Sequence, residues 1–213
     1  MNTTRRSGFS LVELLMVVAI IAIISAFVIP AASSIMMGSR LSGAANQVLS
    51  ALANARQTAI VHNRTVEVRF YQFGDPETPG EDPAKPETGR YRAIQAFEYD
   101  EHGAALPVTS VERLPDGIVF DSNIALSTIF EPRQAKAFTP PLDAPAILPR
   151  GVGTKYNCSA VQFTPSGSTK FGLGNWFVTL HRLTDGDNLS APPANYASVQ
   201  IEAISGAVKV YRP

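Results

Sequence analysis

The chain has 213 residues, with 18 Lys and Arg against 18 Asp and Glu, 45% hydrophobic residues and 17% charged residues. This composition fits one folded domain plus an unusually apolar segment, and it excludes a chain that is disordered throughout. A formal net charge of zero offers no clustered positive surface, so nucleic acid is not an expected partner. The single cysteine, Cys158, excludes an internal disulfide and a zinc site built on cysteines.

The first element along the chain is a segment of membrane length. Between Phe9 and Ile29, 18 of 21 residues are hydrophobic. A helix of this length covers about 30 Å, the thickness of the hydrocarbon core of a bilayer. Arg5 and Arg6 precede the segment. The positive-inside tendency therefore predicts a cytoplasmic N-terminus, with the rest of the chain across the membrane.

Three interpretations compete for this segment: a cleaved secretory signal, a plain membrane anchor, or a more specialised element. A secretory signal has a shorter apolar region followed by a small-residue cleavage site, whereas this run is long and ends at Ile29 and Pro30. A plain anchor leaves Glu13 unexplained, because an acidic residue inside a spanning helix costs about 2.5–3.5 kcal/mol. We therefore expect the Glu13 carboxylate to have a partner.

The N-terminal residues resemble the class III signal of type IV pilins and type II secretion pseudopilins. The resemblance rests on Arg5-Arg6-Ser7-Gly8, then Phe9-Ser10-Leu11-Val12-Glu13-Leu14-Leu15, then the apolar run to Pro30. It implies that a prepilin peptidase cuts between Gly8 and Phe9 on the cytoplasmic side and that the new amine of Phe9 is N-methylated. Glu13 then becomes the fifth mature residue and Pro30 the twenty-second, and both positions match the family pattern.

Physical roles can be expected for Glu13 and Pro30. The Phe9 amine of one chain can meet Glu13 of a neighbour staggered along a fibre, and an unpaired buried charge would penalise a wrong register. Pro30 removes a backbone donor, so we expect the helix to kink or loosen near residues 26–30. The alternative for Pro30 is a simple helix stop at the membrane edge.

Beyond Pro30, apolar residues at helical spacing predict that the helix continues to about His62. The stripe consists of Leu41, Ala45, Val48, Leu52, Ala55 and Ala59. The opposite face carries Arg40, Asn46, Ser50, Asn54 and Gln57. This half of the helix is therefore amphipathic, and we expect it to lie against a globular domain outside the membrane.

After His62 the pattern changes to the alternation typical of β-strands. In the first predicted strand, Val66, Val68 and Phe70 share one face, and Glu67, Arg69 and Tyr71 share the other. Further strands are predicted at Tyr91–Tyr99, Gly117–Asp121, Ala160–Thr164, Trp176–Leu183, Tyr196–Ile204 and Ala207–Tyr211. Two proline-rich stretches, Gly74–Arg90 and Pro140–Gly151, are predicted to be irregular.

The predicted fold class is α+β: a long N-terminal α-helix, transmembrane and then amphipathic, packed on a C-terminal antiparallel β-sheet domain of the pilin-like kind. The predicted organisation is a leader over residues 1–8, a transmembrane half-helix over 9–29, an amphipathic half-helix over 30–62 and a periplasmic β-rich domain over 63–213.

Four short segments in the second half are similar to landmarks of minor pseudopilins of the GspH/FimT type. They are Leu52–Ile60, Leu114–Ile118, Val161–Gly167 and Ile204–Val210. With these landmarks, the resemblance spans most of the chain except the two proline-rich stretches. Those stretches depart from the compact family pattern, and contact with other subunits is one role open to them.

No residue pattern predicts catalysis, a metal site or a cofactor. His62, His102 and His181 lie far apart without ligand spacing and are interpreted as surface or edge histidines. The stretch Asp185–Asn188 is interpreted as a turn, with an incomplete calcium loop as the alternative. Gly172–Asn175 is interpreted as a loop, and Cys158 as a half-buried thiol with a reactive thiol as the alternative.

The sequence therefore predicts a structural assembly protein and not an enzyme: a minor pseudopilin of a type II secretion or type IV pilus-like fibre. Expected partners are the prepilin peptidase, other pseudopilins or pilins, the inner-membrane assembly platform and the lipid bilayer. The expected location is the bacterial inner membrane, single-pass, with a periplasmic C-terminal domain that is extracted into a fibre. The alternatives are a minor pilin that binds DNA for uptake and a membrane-anchored enzyme.

Overall fold

The structure is a computed structural model that describes residues 10–131, 146–149 and 151–213, and within its helix it does not describe the side chains of residues 26–34. Gly8 and Phe9 therefore lie outside the described residues, as do residues 140–145 and 150 of the second proline-rich stretch. The described chain begins with one long helix and continues into an antiparallel sheet. The predicted α+β class, with helix before sheet, is confirmed.

The helix, α1, spans Leu11–His62. It passes through Pro30, so the helix does not stop there, whereas the kink near residues 26–30 stays a prediction. At its C-terminus Asn63 adopts the left-handed conformation, with a φ of 52°. The Arg64 N–H then donates to the Ala59 carbonyl at 3.1 Å. This end is a C-cap in which Asn replaces the usual Gly, and it explains why the helix ends at the predicted residue.

The chain divides into two compact units, Met1–Ser39 and Arg40–Pro213. The second half of α1 therefore belongs to the same unit as the sheet. In that half the side chains of the predicted apolar stripe, together with Ala44, are 0–3% exposed. The amphipathic half predicted from residues 41–59 is confirmed, because its apolar face is buried within this unit.

Within the described residues the sheet has nine strands: β1 Val66–Phe73, β2 Arg90–Tyr99, β3 Ala105–Pro107, β4 Glu112–Arg113, β5 Ile118–Phe120, β6 Asn157–Phe163, β7 Asn175–Arg182, β8 Ala197–Glu202 and β9 Val208–Tyr211. Their spatial order is β6-β1-β2-β5-β7-β8-β9, and β3 and β4 also pair with β2. All seven predicted strands are present, shifted by up to three residues at their ends. The short strands β3 and β4 were not predicted.

The strand β1 lies between β2 and β6, and its burial differs from the expectation for an alternating strand. The polar face is buried as well as the apolar one: Glu67 is 0% exposed and Arg69 1%. Further along this face, Tyr71 belongs to a buried cluster with Leu148, Val152 and Tyr156, among others. Part of the second proline-rich region thus packs on the sheet and takes part in its core.

The first proline-rich stretch is irregular apart from a 3-10 turn at Pro86–Thr88, as predicted. It is attached to the sheet by a buried group of charges. Arg92 of β2 donates to Asp75 at 3.1 Å and to Glu81 at 2.5 Å, and Arg113 of β4 also donates to Asp75. Because Arg92 and Asp75 are only 4% and 2% exposed, the loop is held by ion pairs that water does not screen.

Candidate assembly interface

The described side chains in the first half of α1 expose most of their apolar surface. Between Leu11 and Ile24 every large hydrophobic residue is 47–78% exposed. Glu13, in the first turn of the helix, is the single charged residue from 11 to 25. Among the residues that the structure describes, no helix contains a stretch long and apolar enough to cross a membrane.

Ser10 and Glu13 form the start of this helix. The Ser10 hydroxyl accepts a hydrogen bond from the Glu13 N–H at 3.2 Å, and the Ser10 carbonyl accepts from the Leu14 N–H at 3.1 Å. Ser10 is therefore the N-cap and Glu13 the third helical residue, the spacing of a capping box. In the first turn, the helix dipole stabilises the Glu13 carboxylate. Sequence reasoning missed this cap, although the Ser-x-x-Glu spacing could have revealed it.

The second half of α1 is fixed to the sheet by Arg56. Its Nε–H donates to the Ser205 carbonyl at 2.7 Å and to the Gly167 carbonyl at 3.1 Å. Gly206 makes this junction possible: its φ is +65°, and a Cβ there would lie 2.0 Å from the Gly167 carbonyl oxygen. The turns after β6 and β8 therefore meet at one side chain of the helix.

The landmark segment Leu114–Ile118 also contacts this half of the helix. The Arg40 side chain donates to the Asp116 carbonyl at 3.2 Å. The Gln47 side chain donates at 3.2 Å to the carbonyl of Arg113, the residue just before this segment. Near the chain end, Arg212 donates to the Ser42 hydroxyl. The landmark segments, distant in sequence, are thus the places where the sheet and its turns hold α1. The order of the segments was visible in the sequence, but their convergence on α1 was not.

The three histidines have different environments. His62 is exposed and lies 2.6 Å from the Glu98 carboxylate, and His102 is exposed in the turn after β2. His181 of β7 is instead fully buried, with its Nε2 3.0 Å from Asp121 and its Nδ1 2.8 Å from the Arg182 carbonyl. The prediction of a surface or edge position is wrong for His181, because β7 lies between β5 and β8 and the His181 ring is buried against Asp121 and a carbonyl.

Cys158 is 2% exposed, more deeply buried than expected, and burial raises the pKa of its thiol. Burial and a raised pKa both disfavour the thiolate, so the structure favours a structural thiol over the reactive alternative. Gly172–Asn175 is a loop up to Asn175, where β7 begins, and its Gly172 carbonyl accepts from the Trp176 indole at 2.7 Å.

The acidic turn at Asp185–Asn188 uses its carboxylates within the protein. Asp185 pairs with Arg182 at 3.1 Å, and Asp187 accepts from the Ser122 N–H at 3.0 Å. Asp185 ends a 3-10 helix, Leu183–Asp185, and the chain then bends at Asp187 and Asn188. Over the described ranges, no group of three or more His, Cys, Asp or Glu side chains is placed to hold a metal ion.

A buried polar group on β1 was not predicted. Glu67 accepts from Arg69 at 2.7 Å, from the Tyr99 hydroxyl at 2.9 Å and from Gln162 at 2.5 Å. Burial and the Glu67 carboxylate raise the pKa of Tyr99 to about 12. These partners are internal donors from three strands, so the group links β1, β2 and β6 inside the sheet.

Comparison with known proteins gives a specific result at the N-terminus. The family model of the prokaryotic N-terminal methylation motif matches residues 3–29. The chain thus carries a prepilin-type N-terminal signal, and the predicted resemblance is confirmed. The match covers the segment in which Gly8, Phe9 and Glu13 were singled out, but it does not test the role of any one of them.

Two solved structures are similar to the chain. One is the minor pseudopilin EpsH from the type 2 secretion system of Vibrio cholerae, with 11% identity, 82% of this chain and 98% of that chain covered, and a TM-score of 0.44. The other is the type IV minor pilin FimU of Pseudomonas aeruginosa, with 11% identity, 82% and 89% covered, and a TM-score of 0.41. No curated protein sequence matches the chain.

Proposed function

We propose that the chain is a prepilin-type minor pseudopilin, a non-catalytic structural subunit of a type II secretion or type IV pilus-like fibre. One observation carries the proposal: the methylation motif at residues 3–29 overlaps a helix whose large apolar side chains are 47–78% exposed between Leu11 and Ile24. Such a surface needs a cover of lipid or of other apolar helices. The second half of the same helix, by contrast, is held by its own sheet.

In this function residues 9–29 lie in the inner membrane before assembly, with Arg5 and Arg6 in the cytoplasm and the sheet in the periplasm. The prepilin peptidase removes residues 1–8 and the Phe9 amine is methylated. The platform then transfers the chain into a fibre in which the N-terminal helices pack together. Glu13 sets the register by pairing with the Phe9 amine of a neighbour.

Processing is the first test. Mass spectrometry of the membrane protein should show a mature chain that begins at methylated Phe9, and Gly8→Ala should slow or block the cleavage. Ser7→Ala, one residue further from the cut, is the matched control and should leave processing close to normal. An intact Met1, or cleavage near Ala32, would contradict the proposal.

Glu13→Leu tests the register. Glu13 lies in the first helical turn, so its removal should relieve less than the about 2.5–3.5 kcal/mol that a charge costs at the centre of a span. Membrane insertion and cleavage at Gly8 should persist. Assembly should fail, because the neighbouring amine loses its carboxylate, and a buried charge without its partner costs about 3–5 kcal/mol. Co-purification of a processed Glu13→Leu chain with its fibre partners, at the level of the parent chain, would exclude this role.

The main alternative is DNA binding for uptake. Without residues 1–8 the chain has 16 basic and 18 acidic residues, which gives little support to a phosphate-binding surface. Titration with duplex DNA at low salt separates the two functions. Micromolar binding that weakens steeply with salt would favour uptake, and no binding would favour the assembly role.

A further inference from the structure

Two buried ionisable side chains meet where the end of β5 lies beside β7. Asp121 directly follows β5, His181 belongs to β7, and both are 0% exposed. The His181 Nε2 lies 3.0 Å from the Asp121 carboxylate. Buried ionisable groups are costly unless they are paired and hydrogen-bonded. The assembly function gives this pair no task, so its role follows from its own surroundings.

Both ring nitrogens of His181 face hydrogen-bond acceptors. The Nδ1 lies 2.8 Å from the Arg182 carbonyl oxygen, which can only accept, so this nitrogen carries a proton. A neutral ring protonated at Nδ1 would turn the lone pair of Nε2 toward the Asp121 carboxylate, which is repulsive. The geometry therefore requires a second proton, between Nε2 and the carboxylate.

The hydrogen bonds of Asp121 place that proton on the ring. Each oxygen of its carboxylate accepts from a backbone N–H, that of Asn123 at 2.7 Å and that of Leu189 at 3.2 Å. Hydrogen bonds of this kind favour the ionised form of a carboxyl group. A buried carboxylate needs a cation, and His181 is the base that contacts it in the part of the chain that the structure describes. The ring is therefore an imidazolium.

The other ionisable groups on the neighbouring segments leave this pair on its own. Two further ion pairs lie there, Asp187 with Arg90 at 3.5 Å and Asp185 with Arg182 at 3.1 Å. On β5, the residue paired with His181 is the apolar Val119. Tyr196, directly before β8, brings a phenol, a group that is uncharged below about pH 10. The charge of Asp121 is thus balanced only while His181 carries its second proton.

The Asp121 carboxylate holds two loops. Through the Leu189 N–H it holds the loop after β7. Through the Asn123 N–H it holds the turn after β5, in which the Asn123 carbonyl accepts from the Ser127 N–H at 2.8 Å. One buried charge pair therefore fixes segments that are about 60 residues apart in sequence, and it does so on the same strand, β7.

The turn after β5 covers part of one edge of β7. The Ser127 hydroxyl accepts from the Thr179 N–H at 3.1 Å, and the Thr128 hydroxyl accepts from the Phe177 N–H at 2.9 Å. The strand β5 pairs with residues 180–182 of β7, so these hydroxyls take the place of a strand further along the same edge. A group that holds this turn in place also keeps the β7 edge covered.

We propose that the His181 imidazolium and the Asp121 carboxylate form a proton-dependent latch, which holds both loops closed over β7 and opens when the ring gives its second proton to water. The inference goes beyond the proposed function, because it does not depend on entry into a fibre. An unfolded histidine loses its proton near pH 6.5. Above that pH the folded chain holds more protons than the unfolded chain, so the stability that the latch provides falls as the pH rises.

Nitrogen-15 NMR of the full chain in detergent, labelled at histidine, tests the protonation state. At pH 7.5 His181 should show two protonated ring nitrogens, and His181→Gln assigns its signals. The exposed His102 is the internal reference for an ordinary ring in the same sample. A single protonated ring nitrogen on His181 at pH 7.5 would overturn the proposal.

Hydrogen exchange of the full chain between pH 6 and pH 9 tests the latch itself. As His181 loses its second proton, the protection of the Leu189 N–H, corrected for the intrinsic effect of pH, should fall about tenfold. The Val68 N–H of β1, a strand between β2 and β6, should keep its protection, which shows that the sheet stays folded. Constant protection of Leu189 over this range would contradict the latch.

Two variants separate the latch from a general effect of pH. Asp121→Asn keeps an acceptor for the Leu189 N–H but removes the charge, so His181 should show one protonated ring nitrogen at pH 7.5 and the pH dependence at Leu189 should disappear. His102→Gln is the matched control and should behave as the parent chain does. A folded Asp121→Asn chain that keeps the pH dependence of the parent would show that another group controls the loops, and the proposal would be wrong.

Discussion

The two halves of α1 are both rich in apolar residues but differ in what covers them. In the first half Leu11 and Ile24 are 78% and 55% exposed, and in the second half Leu41, Val48 and Leu52 are 0% exposed. The first half has apolar residues on all its faces, and the second has a single stripe that its own sheet buries. Hydrophobic content alone therefore does not show whether a helix is covered by its own chain or by lipid and other chains. The distribution of apolar residues around the helix does.

A consequence for substitutions follows. Changes in the unit Arg40–Pro213 should alter the free energy of unfolding, because its contacts lie within the chain. Changes in the first half of α1 should alter assembly and leave unfolding of the sheet unit untouched. The predictions below test that distinction, from the largest expected effect to the smallest.

The largest effect is expected for Arg92→Met. The substitution leaves Glu81 buried without its cation and Asp75 with Arg113 alone, and removal of one partner of a buried ion pair costs about 3–5 kcal/mol. Urea unfolding of a fragment that begins at Ser33, which we expect to be a soluble β-rich domain, gives the measurement. Arg40→Met is the control, since Arg40 is exposed and makes one bond to a carbonyl, and it should cost less than about 1 kcal/mol.

Leu52→Ala and Leu15→Ala compare the two halves directly. Leu52 is fully buried, so its truncation should lower the free energy of unfolding by about 2–5 kcal/mol. Leu15 is 63% exposed, so its truncation should leave unfolding of the sheet unit unchanged within about 0.5 kcal/mol. Thermal unfolding of the full chain in detergent can report both. Equal losses for the two variants would break the distinction between the halves.

Acid should weaken the sheet unit through Asp75. Burial acts to raise the pKa of Asp75, but its hydrogen bonds from Arg113 and the Glu77 N–H and the charges of Arg113 and Arg92 outweigh burial and lower it. The unfolded chain therefore binds a proton more readily than the folded chain. The resulting stability is fully present above about pH 4, the ordinary carboxyl pKa, and is lost as the pH falls through the folded-state value.

Urea unfolding between pH 7 and pH 2 measures this loss. Asp75→Asn should be less stable at neutral pH and should show a flatter decline below about pH 4 than the parent chain. A parallel decline for both proteins would show that other carboxyls control the acid transition.

The smallest effect is expected for Ser10→Ala. Loss of the N-cap hydrogen bond should cost about 1 kcal/mol, confined to the first turn of α1. Hydrogen exchange at Leu14 should become faster, while unfolding of the sheet unit does not change. Ser10→Asp should restore slow exchange, and Ser25→Ala, within the same helix, serves as the control.

Most of the fold could be predicted because period and length are strong signals in this chain. The stripe from Leu41 to Ala59 located the buried face of α1, and alternation located seven strands. The strands β3 and β4 have three and two residues, too short to show a period. The N-terminal motif was recognisable because it is a contiguous run of residues.

Contacts between distant parts of the chain could not be predicted in the same way. Alternation assigned Glu67 and Arg69 to a polar face, but it gave no sign that Tyr99 and Gln162 would complete a buried network around Glu67. Arg56 lies within the landmark Leu52–Ile60, but nothing in the sequence indicated that its side chain binds two turns of the sheet. These interactions depend on three-dimensional proximity, which a single sequence does not encode in any local pattern.

The loop between β1 and β2 also bears on how this domain could change in evolution. Phe73 and Arg90, the residues on either side of it, are paired neighbours in the sheet. A short turn between these two residues would complete the same hairpin without a change in register. Loss or exchange of residues 74–89 would therefore keep the strand register, but it would have to be matched by changes at Arg92 and Arg113, because Asp75 and Glu81 of this loop neutralise their charges.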